Sequence, residues 1–174
     1  MYQKKQEKDI RCPFEYSLTS KNTMTQCQNT IAADEVGKML TYTEEKKFTR
    51  EQVQQLFLSV HWVSGNYPKR LYKALMHSST VLTAWDGDKL VGLIRVLDDS
   101  EMLAQIHYVL VHPDYQGQGI AGKMLELIKE KYKDYLHIEG MPEDKNNVPF
   151  YVKHGFSVME NGAAIQICNY SNAQ

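Results

Sequence analysis

The stretch Val109-Leu110-Val111-His112-Pro113-Asp114-Tyr115-Gln116-Gly117-Gln118-Gly119-Ile120-Ala121-Gly122 constrains the fold more than any other part of the chain. Its apolar, β-branched opening reads as a buried strand, a proline turn ends that strand, and two glycines lead straight into a helical pattern. Glycine permits left-handed backbone conformations and lets another group approach the main chain without meeting a Cβ. The first N–H groups of a helix have no partner within it, and the helix dipole adds partial positive charge at that end. Strand, glycine turn and helix start together make a cradle for a phosphate. The same glycines also suit a plain tight turn, so the flanking chain has to decide.

Upstream, Met39 to Thr43 reads as a strand. Thr49-Arg50-Glu51-Gln52 is a capping box, and Val53, Leu56, Phe57 and Val60 follow at helical spacing. Pro68 suits the first position of a second helix with Leu71, Tyr72 and Leu75 on one face. Val81 to Trp85 and Leu90 to Leu97 flank Asp86-Gly87-Asp88-Lys89 and predict a hairpin. Asp98-Asp99-Ser100-Glu101 then turns the chain into a third strand, Ala104 to Val111. Downstream, the pattern predicts a helix over Gly119 to Lys133 and a short strand over Leu136 to Glu139. A short helix over Val148 to His154 follows, stopped by Gly155. A last hairpin, Phe156 to Met159 with Ala164 to Cys168, is expected across Asn161-Gly162. This order implies an α+β (mixed α/β) fold with a largely antiparallel sheet and helices packed on it.

The chain has 174 residues, 43% of them hydrophobic and 24% charged, with a formal net charge of -1. That suits one globular domain and speaks against a generally basic nucleic-acid binder. Residues 1–37 are polar and without a sustained period, so they read as an extension to a domain over 38–170. No run approaches the ~18 apolar residues of a membrane span, and the N-terminus lacks the apolar core of a signal peptide. A cytoplasmic protein with no membrane or nucleic-acid partner is expected, and a homodimer stays open. Cys12, Cys27 and Cys168 are scattered and read as free thiols; no His/Cys cluster has metal-ligand spacing, so no metal is expected.

Two phosphate-binding readings compete for the glycine loop. Gly117-Gln118-Gly119-Ile120-Ala121-Gly122 matches the dinucleotide pattern G-x-G-x-x-G, with Glu139 near the place of a ribose-binding acid. In such folds, however, the first glycine almost directly follows the strand, whereas His112 to Gln116 intervene here, and the chain beyond Gly122 is too short to finish a doubly wound sheet.

The second reading is a resemblance to the GNAT superfamily of acetyl-CoA-dependent N-acetyltransferases. The family signature Gln/Arg-x-x-Gly-x-Gly/Ala is met by Gln116-Gly117-Gln118-Gly119-Ile120-Ala121, and the preceding Val-x-Pro-x-Tyr by Val111 to Tyr115. A second element resembles Phe150-Tyr151-Val152-Lys153-His154-Gly155-Phe156, and Asp88 to Arg95 is similar to the family's central hairpin. The resemblance covers Met39 to Cys168 and implies a central twisted sheet with helices on both faces. The sequence departs from the family where a common Asn is Asp144, a common Ala is Asn147, and Pro149 precedes Phe150.

The resemblance implies acetyl transfer from acetyl-CoA to a primary amine, a small molecule, by direct attack in a ternary complex. It further implies that Gln116, Gly117, Gln118, Gly119, Ile120, Ala121 and Gly122 hold the pyrophosphate through backbone N–H groups. Val109 and Val111 would bond the pantetheine arm through their backbone, and the Leu110 N–H would face the reacting carbonyl. Lys123, in the first turn of the helix after the glycines, is readable equally as a contact to the nucleotide 3′-phosphate and as a solvated lysine, and Asn147 would touch the cofactor. Tyr151 takes the general-acid position. His107, His137 and Glu139 are candidate bases on the central strands, each equally readable as a rim residue. Trp62, Tyr67 and Tyr72 are candidates for an aromatic acceptor wall, and Asp98, Asp99 and Glu101 for an acidic lure. Outside the enzyme class, the alternatives are a non-catalytic acyl-CoA sensor and a regulator that contacts DNA through residues 1–37.

Overall fold

The computed structural model describes residues 32–33 and 39–168. The remaining residues of the expected extension, with Cys12 and Cys27, lie outside that range, as do residues 38 and 169–170 of the expected domain. Six strands form one sheet in chain order: β1 (Ala32–Ala33), β2 (Met39–Thr43), β3 (Thr80–Asp86), β4 (Lys89–Asp98), β5 (Leu103–Val111) and β6 (His137–Gly140). All neighbours are antiparallel except β5 and β6, which run parallel. A doubly wound dinucleotide fold needs a parallel sheet, so that alternative does not describe this chain.

Among the described residues four α-helices accompany the sheet: α1 (Arg50–Ser59), α2 (Pro68–Met76), α3 (Ile120–Lys131) and α4 (Val148–Lys153). The capping box starts α1 as the sequence predicts: the Gln52 N–H donates to Thr49 Oγ1 (3.2 Å) and the Thr49 N–H to Gln52 Oε1 (2.8 Å). Such a cap is worth about 1 kcal/mol. Val53, Leu56 and Phe57 of α1 and Leu71 and Leu75 of α2 pack on Val81, Leu93 and Leu110 of one sheet face. Ile120, Met124 and Ile128 of α3 pack on Ile94, Val96 and Ile106 of the other. Helices therefore cover both faces, as expected. Among the described residues no helix is long and apolar enough to cross a membrane.

A β-bulge between β4 and β5 sets which face each β5 side chain takes. Arg95 of β4 pairs with Tyr108 of β5, but the next residue, Val96, pairs with Ile106. His107 is therefore the extra residue of a β-bulge. Ala104 and Ile106 belong to the α3-side core, and so do Val109 and Val111. An unbroken strand would put Ile106 and Val109 on opposite faces; the extra residue keeps them together. His107 and Tyr108 are left side by side on the α1–α2 face, with ring centroids 4.1 Å apart.

The expected last hairpin does not form. Its turn exists, with the Gly162 N–H donating to Met159 O (3.1 Å), but residues 156–168 contain no strand. Ile165 and Ile167 are 94% and 87% exposed. An isolated two-stranded hairpin is marginal in water without a packed face, and the edge strand β6 is only four residues long.

Candidate active site

The glycine loop is braced by its own side chains. Gln116 Nε2 donates to Val111 O (3.0 Å), Gln118 Nε2 to Asp114 O (3.1 Å), and the Tyr115 hydroxyl to Asp86 Oδ2 (2.7 Å). Both glutamine side chains thus hold the loop, and the Gln116 N–H is itself taken by Pro113 O (3.2 Å), so the expected Gln116 contact to the pyrophosphate is corrected and the amide of Gln118 is the one left to offer a ligand. Gly117 and Gly119 sit in the left-handed region at φ 76° and 77°. The first intrahelical bond of α3 runs from the Lys123 N–H to Gly119 O (2.9 Å), so the amides of Ile120, Ala121 and Gly122 point out of the helix start. A Cβ built on Gly117 or Gly119 would meet no atom within 4 Å, so the space above the turn is open. An open, amide-lined helix N-terminus fits a pyrophosphate.

Gly122 differs from the other two. A Cβ there would come within 2.8 Å of His154 Cε1, so this glycine lets α3 pack against the end of α4. Lys129 Nζ, donating to His154 O (2.5 Å), fastens the same junction. The side chains of Ile120 and Ala121 belong to the core. Lys123 is half-buried in the first turn of α3.

Beside the loop, the sheet opens. β6 follows β5 only over Leu103–Ile106, paired with His137–Gly140. The His112 N–H donates to Val91 O (2.8 Å), and antiparallel pairing alternates, so Leu110 also turns its amide toward β4, opposite Leu93. The expectation of a Leu110 N–H in the site is corrected accordingly: that amide belongs to the ladder. Val109 and Val111 direct their amides to the open edge, and Val111 O is already taken by Gln116.

Tyr151 on α4 comes from the α3 side of the sheet, half-buried between Phe150 (5.2 Å) and Phe156 (5.7 Å). Its hydroxyl makes no hydrogen bond among the described residues. Burial pushes the phenol pKa up, so the group stays protonated at neutral pH. Asn147 precedes α4 as an exposed cap without a side-chain hydrogen bond. Ile138 packs into the α3-side core, so alternation turns His137 and Glu139 to the α1–α2 face, the face that carries His107. Burial, and then the Arg95 charge, push the His107 pKa down. The opening therefore has base candidates on one face and the tyrosine on the other.

The aromatic residues expected at an acceptor wall do not lie together. Trp62 stacks near Tyr108 (5.2 Å) and Phe57 (5.7 Å), whereas Tyr72 packs edge-on against Phe48 (6.1 Å) in the α1–α2 core. Tyr67 precedes α2 as its cap residue. Tyr108, anchored to Ser64 Oγ through its hydroxyl (3.0 Å), joins Trp62 instead. The sequence signal for Tyr108 was the switch of apolar parity between Ile106 and Val109, which marks the bulge. The acidic turn serves the fold: Asp99 Oδ1 accepts from the amides of Glu101, Met102 and Leu103, and Asp98 Oδ2 from the Tyr132 hydroxyl. No group of three acidic, His or Cys side chains gathers for a metal among the described residues.

Residues 41–165 match the family model of the acetyltransferase (GNAT) domain. The chain is 32% identical over 117 residues to the uncharacterized N-acetyltransferase ycf52 of Porphyra purpurea, covering 64% of this chain and 66% of that protein. It is 30% identical over 125 residues to the corresponding protein of Pyropia yezoensis, covering 68% of this chain and 71% of the other. Among solved structures, a GNAT-family acetyltransferase from Streptococcus pneumoniae superposes with a TM-score of 0.66 at 28% identity, over 75% of this chain and 98% of that one.

Proposed function

Because this chain belongs to the GNAT acetyltransferase family, we propose that it moves an acetyl group from acetyl-CoA to the primary amine of a small molecule, by direct attack within a ternary complex. The observation that supports the reading is an amide-lined helix start beside a β5 edge that β6 leaves open beyond Ile106. Acetyl-CoA, when bound, supplies an activated thioester. The amides of Gly117 to Gly122 would hold its pyrophosphate, with Lys123 beside them. Val109 and Val111 would pair with its amide arm as an added strand would.

The donor for the developing oxyanion is the Val109 N–H, which replaces the Leu110 assignment. A preorganised donor of this kind is worth about 3–4 kcal/mol in acyl transfer. Tyr151 would give its hydroxyl proton to the leaving thiolate. Burial keeps that phenol protonated at neutral pH, so a proton is at hand as the thiolate leaves. Glu139, on the α1–α2 face, would accept the amine proton directly or through water.

The test is Tyr151→Phe. Its hydroxyl has no partner in the described structure, so removing it should leave the melting temperature and acetyl-CoA affinity in place. Thiol release should drop by about 10²–10⁴-fold. Unchanged turnover would remove Tyr151 from the mechanism, and tight acetyl-CoA binding without thiol release for any amine would favour the sensor reading.

A further inference from the structure

Arg95 is a half-buried cation on the α1–α2 face, and no carboxylate among the described residues pairs with it. Its Nε donates to Ser78 Oγ (2.8 Å), and Ser78 Oγ donates onward to Ala74 O (2.7 Å). Its Nη1 lies 3.1 Å from His107 Nδ1. A guanidinium has only donors, so His107 Nδ1 must be the acceptor. The proton of the neutral ring then sits on Nε2. The ring is held against Tyr108, itself anchored to Ser64 and flanked by Trp62. In this arrangement His107 has no lone pair left for an incoming amine, which argues against the general-base role. It presents an N–H instead, at an exposed position beside a cation whose Nη2 has no partner among the described residues.

We infer that Arg95 and His107 form a carboxylate subsite, so that the acceptor is an amine that also carries a carboxylate, such as an amino acid. Arg95 fixes the His107 tautomer and supplies the charge, and His107 Nε2–H supplies the directional hydrogen bond. The inference rests on the acyl-transfer reading for calling the ligand an acceptor.

Side-chain nitrogen NMR of the ¹⁵N-labelled full chain tests it independently of turnover. His107 is expected to show a protonated Nε2 and a bare Nδ1. Adding an amino acid with CoA present should shift the His107 Nε2 and Arg95 signals, and the matching carboxamide should require about 10- to 100-fold higher concentration, the range for a charge-assisted hydrogen bond. Arg95→Gln should collapse that preference, with its melting curve reporting that it is folded. His107→Gln, which keeps an amide donor, should retain part of the preference and of kcat even if Arg95→Gln does not fold. A bare Nε2, equal affinity for acid and carboxamide, or loss of kcat in His107→Gln by the factor expected of a missing base would overturn the subsite. Thiol release from acetyl-CoA, measured separately with the same amino acid and carboxamide, reports on acyl transfer: its absence with the NMR preference intact would sink the activity and leave the carboxylate site standing.

Discussion

Substituting Gly119 by alanine separates the fold's use of this residue from the ligand's. Gly119 is at φ 77°, where an L-residue is strained by ~1–2 kcal/mol. The added Cβ meets no atom within 4 Å, so no packing cost joins the strain. Restricting the unfolded chain returns ~0.4–1 kcal/mol. The net loss should be about 1 kcal/mol, a fall of roughly 2–4 °C in Tm for a domain of this size. Ligand binding should suffer far more, because the same methyl group projects into the open cradle. Losing one charge-assisted hydrogen bond costs ~1.5–3 kcal/mol, about 10- to 100-fold in Kd. Gly87→Ala is the control: φ is 56°, the Cβ is equally uncontacted, and the residue lies in the β3–β4 turn. Melting curves with and without acetyl-CoA, plus calorimetric titration, read both quantities. If Gly119→Ala binds acetyl-CoA as tightly as the parent, or Gly87→Ala weakens binding equally, the cradle argument is wrong.

Tyr132 is buried, with its hydroxyl on Asp98 Oδ2 (2.7 Å) and Thr80 Oγ1 (2.8 Å), so Tyr132→Phe should destabilise by about 1–3 kcal/mol in chemical denaturation. Burial raises its pKa, so its contribution is complete below the unfolded value of ~10 and declines as pH rises beyond it; the phenylalanine variant should melt with a weaker alkaline slope. For Asp99, the amides of Leu103, Met102 and Glu101 hold the carboxyl below its usual range. Its contribution is therefore present above ~3.9 and lost as pH falls through the lowered value. Asp99→Asn should lower Tm at neutral pH and flatten the acid limb of the Tm–pH curve; an unchanged limb would refute the assignment.

The elements that were legible in the sequence are those written in local chemistry. Thr49 and Gln52 announce the start of α1, Pro68 the start of α2, and Gly117 and Gly119 the left-handed entry to α3. Where the outcome depends on a neighbour, local chemistry misleads. Asn161-Gly162 does make its turn, yet Ile165 and Ile167 lack a face to pack on, so no strands grow from it. Leu110 looked available because its apolar side chain says nothing about which way its amide turns; only the pairing with Leu93 decides that. His107 looked like a base until Arg95, twelve residues earlier in sequence, came within hydrogen-bond reach of it. The aromatic residues divide for the same reason: Trp62 lies against Tyr108, which the bulge brings to that face, whereas Tyr72 is drawn into the core by Phe48. Asp98 and Asp99 illustrate the limit of reading charge alone, since their carboxylates are engaged by Tyr132 and by backbone amides.

The central claim is that one opening, between the β5 edge and the start of α3, receives acetyl-CoA. Backbone amide NMR during an acetyl-CoA titration tests it most directly. The account predicts saturable one-to-one binding, with the largest shifts at Val109, Val111, Gly117, Gly119 and Ile120 and a smaller response around Tyr151. Shifts that cluster on the α1–β4 side with the glycine loop unmoved, or no saturable change at all, would contradict it.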